Sequence, residues 1–273
     1  IASATGIFGY VDINKFNSNK FDILIIPSNI KDLIEYNDFY SSSDFGIKDL
    51  LIYKNKIYMS YSNQIKKDCF NTSILVSDLN LQELKFEEFF TPDLCIDKNN
   101  AYGEFMGSQA GGRMFLFKDN KILFTYGEYR FRDHAQDKNN LFGKIISIDI
   151  DTKKFEIISM GHRNPQGLYY DVDENTIFST EHGPKGGDEI NINISPGGEI
   201  ENYGWPISSY GELYSLKKYR DNNSKYKNPA LYKSHKDYGF IEPIKYFSPS
   251  IAITEITKIP FEYNKIKKKQ FFV

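Results

Sequence analysis

Cysteine, histidine and tryptophan are scarce in this 273-residue chain, which has two, four and one of them. The two cysteines, Cys69 and Cys95, have no His or further Cys nearby at metal-site spacing, so a zinc finger or an iron–sulfur ligand set is excluded. They form either one disulfide in an oxidising compartment or two separate buried thiols. Net charge is low, at −2, and gives no electrostatic case for nucleic acid or an anionic membrane. Long apolar runs are missing too. The longest lies near Ile23 to Pro27, far short of a membrane span. No basic-then-apolar signal segment is present, the first residue is not Met, and the last residues, KKKQFFV, read as the start of a strand. Both ends therefore read as cut, and the chain as a fragment. Helical periodicity is weak, and Asn29 to Phe39 is the one stretch that suggests a helix.

Aromatics are plentiful, with 22 Phe and 20 Tyr. They suit β-structure, although a chain also rich in Ile, Lys and Asn equally fits an AT-rich genome. One pattern recurs: an apolar strand, a short Asn- or Asp-containing turn, and an aromatic-rich second strand. It occurs as LLIYKNKIYMSYS from Leu50, MFLFKDNKILFTYG from Met114 and LYYDVDENTIFSTEHG from Leu168. Further strand-like runs follow the first two, TSILVSDL with LKFEEFF and GKIISIDI with KFEIISM. A partial unit precedes them at Phe21 to Pro27, and another begins near Pro249-Ser250-Ile251-Ala252. Four strands per unit, repeated at roughly sixty residues, is how a propeller blade reads. A sandwich would place its strands at closer and more even intervals. The polar stretch Gly211 to Phe240 breaks the pattern, as an ordered functional loop or a solvated excursion. Two Asn-X-Ser sequences, at Asn71 and Asn222, read as accidental rather than glycosylated.

The segment Gly161 to Pro206 is built from residues that a packed strand or helix would not select. GHRNPQG sets a cation, an amide and an X-Pro step side by side. EHGPKGGDE packs three glycines and a proline between acids, a loop whose exposed backbone groups and hard oxygen ligands suit calcium or an anionic cofactor. NYGWP closes the segment with the single tryptophan. This segment closely resembles the signature of the soluble quinoprotein glucose/sorbosone dehydrogenases, which include the aldose sugar dehydrogenases. The resemblance implies an all-β, six-bladed β-propeller, of which this single partial domain, 1–273 with a polar loop insertion at about 211–240, covers roughly four to five blades. It implies the cofactors pyrroloquinoline quinone (PQQ) and Ca²⁺, export to the periplasm or beyond, and hence the disulfide in preference to two thiols. It also implies a sugar and an electron acceptor as partners.

Residue by residue, the resemblance places Arg163 and Asn164 in the PQQ and substrate pocket. A guanidinium holds a quinone oxygen, a carboxylate or a sugar hydroxyl equally well. The carbonyl oxygens of Gly183 and Pro184 match those that hold the cofactor's calcium. Glu189 and Tyr203 match a second, structural calcium site, for which Glu212 is a stand-in for a further acidic ligand. Gln136 and Ser250 are further candidate cofactor contacts. His162 reads as a residue that orients its loop.

Two positions depart from the pattern. The family's catalytic histidine stands four residues before the arginine of a GGR motif, here Gly111-Gly112-Arg113, and that position is Gln109. Glutamine does not titrate near neutral pH and is no general base. Where the family has a cofactor-contacting Gln, this chain has Asp44, a carboxylate unfavourable beside an anion. His134 and His182 are the candidate replacement bases, and His235 lies in the polar stretch. A quinone-contacting lysine and arginines of the family fall beyond Val273.

Three functions compete. The first is PQQ- and calcium-dependent oxidation of an aldose to its lactone. The second is a non-catalytic, calcium-stabilised propeller that binds a carbohydrate or a protein. The third, calcium-dependent hydrolysis of a lactone or ester, needs an acidic and amide-rich cage that these residues do not assemble.

Overall fold

The computed structural model describes residues 1–12, 14, 22–100, 103–118, 120–212, 233–259 and 271–272. It divides into two compact units, Ile1–Cys95 and Ile96–Val273. Most of the polar stretch from Gly211 to Phe240, Asn222 included, lies outside the described residues.

The first unit pairs β1 (Phe8–Tyr10) with β2 (Leu24–Ile26) and continues through two four-residue helices, α1 (Ile30–Leu33) and α2 (Asp38–Ser41). These replace the single helix expected over Asn29 to Phe39. The chain at Ile34 is extended, and each piece is too short to sustain a helix without tertiary support. Ile30, Ile34 and Phe39 supply that support by packing into the core with Phe8, Met59 and Leu75.

An antiparallel meander follows, ordered β3 (Ile47–Tyr53), β4 (Lys56–Lys66), β5 (Cys69–Asp78) and β6 (Glu87–Phe90). Lys54 and Asn55 join β3 to β4 with φ of 46° and 58°, the left-handed pair that a two-residue hairpin requires. The middle strands are buried along most of their length, with Ser60, Ser62, Thr72 and Ser73 inaccessible beside Met59 and Ile74. Small polar side chains alternating with apolar ones let both faces of a strand be covered. Cys69 and Cys95 form a disulfide with Cα atoms 5.4 Å apart. Asn71 is buried, its amide donating to the carbonyls of Pro92 and Leu94, which leaves no room for a glycan.

The second unit opens with the short β7 (Ile96–Asp97) and holds two further meanders. One is ordered β8 (Gly111–Phe117), β9 (Lys121–Tyr126), β10 (Lys144–Asp149), β11 (Phe155–Met160), and β15 (Glu201–Asn202) adds to β11 in parallel. The other is β12 (Pro165–Asp171), β13 (Thr176–Glu181), β14 (Asp188–Asn193) and β16 (Lys245–Phe247). Phe115 and Phe117 of the first pack on Tyr169 and Tyr170 of the second, with ring centroids 5.1 and 4.8 Å apart. The three hairpins legible in the sequence thus sit in three four-stranded antiparallel arrays.

The strand expected from Pro249 does not form there. Asp188 Oδ2 accepts the N–H groups of Ile251 and Ala252, and Ala252 has a φ of 58°, so this backbone is committed to a side chain rather than to a ladder. A strand appears only at β17 (Thr257–Lys258), paired with β18 (Phe271–Phe272).

Lys144 of β10 is fully buried, and its ammonium donates to the carbonyls of His134, Ala135 and Phe142 at 2.7–3.1 Å. Burial pulls its pKa down to about 8. The ammonium gathers the loop between β9 and β10 around one charge.

Two stability outcomes follow from these contacts. Reducing the disulfide, or replacing both cysteines by serine, lowers unfolding free energy by about 3 kcal/mol, read as a lower denaturant midpoint. Lys144→Met removes three hydrogen bonds to carbonyls, of which those of His134 and Ala135 keep a backbone N–H, and costs about 2 kcal/mol, read in the same assay.

Candidate functional site

β9 and β11 both run antiparallel to β10, so the loops that follow them emerge at one edge, where the loop that follows β13 meets them. Those loops are residues 127–143, 161–164 and 182–187. Their backbones satisfy one another: Glu128 N–H donates to Arg163 O, His182 N–H to Asn164 O and Gly161 N–H to Ala135 O, each near 3.0 Å. Buried backbone groups need such partners, so each loop fixes the next. NYGWP completes the set, with Trp205 N–H donating to Gly161 O.

Arg163 is buried at 7% exposure. Its Nη1 donates to the carbonyls of His182 (2.9 Å) and Gly183 (2.7 Å), and its guanidinium lies 5.5 Å from the Trp205 ring centroid. Gln109 packs against its other side. In the amide orientation that satisfies both ends, the Gln109 oxygen accepts from Arg163 Nη2 at 2.8 Å and its nitrogen donates to Glu128 Oε1 at 2.7 Å. The reverse orientation would set oxygen against carboxylate and amide nitrogen against guanidinium. Glu128 is completely buried. Burial pushes its carboxyl up to about 7, with Arg163, Arg132 and Arg130 opposing.

A cleft of about 620 Å³ opens over these groups, lined among others by Gln109, Arg130, Arg163, Asn164, His182 and Ser250. Its size is that of a small-molecule site. Among the described residues one carboxylate lies on its wall, Asp188, and it is already engaged, accepting from Gly183 N–H as well as from Ile251 and Ala252. Arg130 follows Tyr129 in the left-handed region, at φ of 68° and 51°, two consecutive non-glycine residues in a costly conformation at the cleft wall. With two guanidiniums against one carboxylate whose oxygens are taken up by backbone N–H groups, the wall favours an anion.

Beside Arg163 a second, small space of about 10 Å³ is bounded by Glu181, Gly183, Pro184, Glu189, Tyr203 and His235, among others. That is about the room one water or one ion needs. Burial alone would raise the pKa of Glu181, but His162 and the Arg163 N–H outweigh it and hold it low. Glu189 stays raised by burial despite His235 at 3.3 Å. Burial opposes protonation of His235, and Glu189 reverses that and raises it. Gly183 and Gly187 permit this close packing: a Cβ on Gly183 would meet Gly187 O at 2.1 Å, and Gly187 has a φ of 73°. Among the described residues no three His, Cys, Asp or Glu side chains form a metal cage. The carbonyls at 182 and 183, however, converge on a positive group.

The structure thus gathers Gln109, Arg163, Asn164 and Ser250 at the cleft, and Gly183, Pro184, Glu189 and Tyr203 at the small space beside Arg163. Other candidates are placed elsewhere. Gln136 spends its amide on Asn202 and the Trp205 carbonyl. His134 is stacked between Phe131 and Phe142, and its pKa is lowered by burial. Of the four histidines, His182 is the one on the cleft wall. His162 orients its loop as expected, bonded to Ser159 and facing Glu181 at 3.3 Å. Asp44 is an exposed residue of the first unit, and Glu212 pairs through its backbone with Lys185. His235 is buried rather than solvated. Glu128 and Arg130 were not visible as site residues in the sequence. The signal available was a lone acid among arginines in GEYRFR.

The sequence matches the Glucose / Sorbosone dehydrogenase family over residues 28–272. It is 29% identical over 196 residues to aldose sugar dehydrogenase YliI of Escherichia coli, covering 65% of this chain and 50% of that protein. It is 29% identical over 125 residues to quinoprotein glucose dehydrogenase B of Acinetobacter calcoaceticus, covering 35% and 25%. The chain therefore spans at most about half the length of these relatives. The solved apo-form of the soluble aldose sugar dehydrogenase from Escherichia coli superposes with a TM-score of 0.59 at 25% identity, over 78% of this chain and 61% of that one. The PQQ-bound aldose sugar dehydrogenase from Streptomyces coelicolor gives 0.59 at 19% identity, over 92% and 64%, a likeness of fold. The match over residues 28–272, together with these relatives, makes this chain a member of the glucose/sorbosone dehydrogenase family.

Proposed function

We propose that this chain forms part of a PQQ- and calcium-dependent sugar dehydrogenase that oxidises an aldose to its lactone and passes the electrons to an external acceptor. The observation that carries the reading is the cleft itself. It is of small-molecule size, and its wall presents Arg130 and Arg163, with the oxygens of Asp188 already engaged by backbone N–H groups. PQQ is a tricarboxylate, and it accompanies relatives of this family by name. In this reading the four-stranded arrays are blades of a six-bladed propeller, and the protein works in the periplasm or outside the cell.

PQQ, when bound, supplies the hydride acceptor that a sugar oxidation needs. The chain's own residues bind and orient. Arg163, fixed by two carbonyls and Gln109, presents a preset guanidinium to a carboxylate or quinone oxygen. Asn164 is immobilised by Gly111 N–H and by the Gln166 amide. Calcium would be held by the carbonyls of Gly183 and Pro184: backbone oxygens suit a hard metal ion, and that of Gly183 already accepts from one cation, Arg163. Glu189 and the carbonyl of Tyr203 would hold a second ion, where a buried carboxylate and an ion-sized space coincide.

Gln109 favours a second reading, the propeller that binds a carbohydrate or protein partner without oxidising it. Both ends of its amide are occupied, and no proton acceptor stands at that position.

Sugar-dependent dye reduction by the complete protein separates the two. The dehydrogenase reading predicts turnover that requires both PQQ and calcium. Sugar binding without PQQ-dependent turnover supports the binding module instead. Arg163→Met weakens PQQ binding by about tenfold or more, measured by fluorescence titration. Gln109→His restores a titratable base and raises turnover by about a hundredfold, measured in the dye assay.

A further inference from the structure

Glu128 is a buried acid to which the proposed chemistry gives no part. One carboxylate oxygen receives the Gln109 amide at 2.7 Å. The other, Oε2, is buried without a hydrogen-bond partner. Gln109 therefore stands between a carboxylate and the Arg163 guanidinium, 2.8 Å on its far side. An amide has one donating end and one accepting end, so its orientation depends on what its neighbours require. Ionised Glu128 requires an N–H. Protonated at Oε1, Glu128 offers an O–H there and requires a carbonyl.

The charges that face Glu128 are Arg163, Arg132 and Arg130, and Arg132 is shared with Glu104 at 3.4 Å. Burial drives the acid up to about 7, and these cations offset it only in part. An anion bound at Arg163 brings a negative charge against that guanidinium, the offset shrinks, and the proton affinity of Glu128 rises. By reciprocity, protonating Glu128 strengthens anion binding.

We propose that Glu128 is a positioning residue that couples anion binding at Arg163 to the uptake of one proton from solvent. The protonated acid then donates to Gln109, whose amide turns and offers its N–H groups to the bound anion. A residue that looks like a lost base becomes the second donor of an anion clamp. The choice of PQQ as the anion rests on the function proposed above. Above pH 7 the affinity for the anion falls, by up to about tenfold per pH unit.

The test is calorimetry of PQQ binding, with calcium, to the wild type and to Glu128→Gln. It is run at about pH 8 in two buffers of different ionisation enthalpy. The wild type takes up more than about half a proton per PQQ, and Glu128→Gln binds PQQ with uptake near zero and a flat pH profile. Equal uptake by the two proteins overturns the proposal and leaves the cofactor reading intact. If the wild type binds no PQQ, the cofactor reading fails, and the amide of Gln109 tests Glu128 directly. In protein labelled at its glutamines, the resonance removed by Gln109→Leu shifts with a midpoint near 7 in the wild type and stays flat in Glu128→Gln. A Gln109 resonance that does not move across that midpoint overturns the proposal.

Discussion

The hold that Arg163 keeps on the carbonyls of His182 and Gly183 is the contact on which the site depends. It is a cation inside a wall of backbone oxygens, covered by an indole and buried to 7% exposure. A buried charge is tolerable only when its hydrogen bonds are made, and here each of those bonds also fixes a loop. The Arg163 carbonyl takes the N–H of Glu128, and its N–H goes to Glu181. One residue thus ties together the segments that follow β9, β11 and β13. The cleft inherits its shape and its positive wall from that arrangement.

Around this contact lie three buried acids. Glu181 is stabilised as a carboxylate by His162 and a backbone N–H despite its burial. Glu189 lacks comparable support and is held up by burial. Glu128, on the opposite side of Arg163, is poised near neutrality. Buried acids of one chemical type are thus shifted in opposite directions, Glu181 down and Glu189 and Glu128 up, by the charges and donors each one meets. Such separation is what a site needs to hold cations on one side and an anion on the other.

Much of the architecture was legible because hairpins carry local signals. Lys54-Asn55 at the first turn and the alternation of aromatic with small polar residues along β4 and β5 settle pairing within a few residues. The loop residues Arg163, Asn164 and Gly183 were legible because glycine, proline and arginine there serve no packing purpose. Glu128, Arg130 and Lys144 were not. Their roles come from burial and from contacts tens of residues away, which no local pattern encodes. Pro249 to Ala252 misled for a related reason: an aspartate distant in sequence, Asp188 at the start of β14, takes up the N–H groups that a strand would have used.

The most direct measurement is a crystal structure of the complete protein grown with PQQ and calcium. The account predicts the quinone in the cleft within hydrogen-bond reach of Arg163 and Asn164, with a metal ion on the carbonyls of Gly183 and Pro184. A cleft that stays free of PQQ at saturating cofactor, or a cofactor seated away from Arg163, would contradict it.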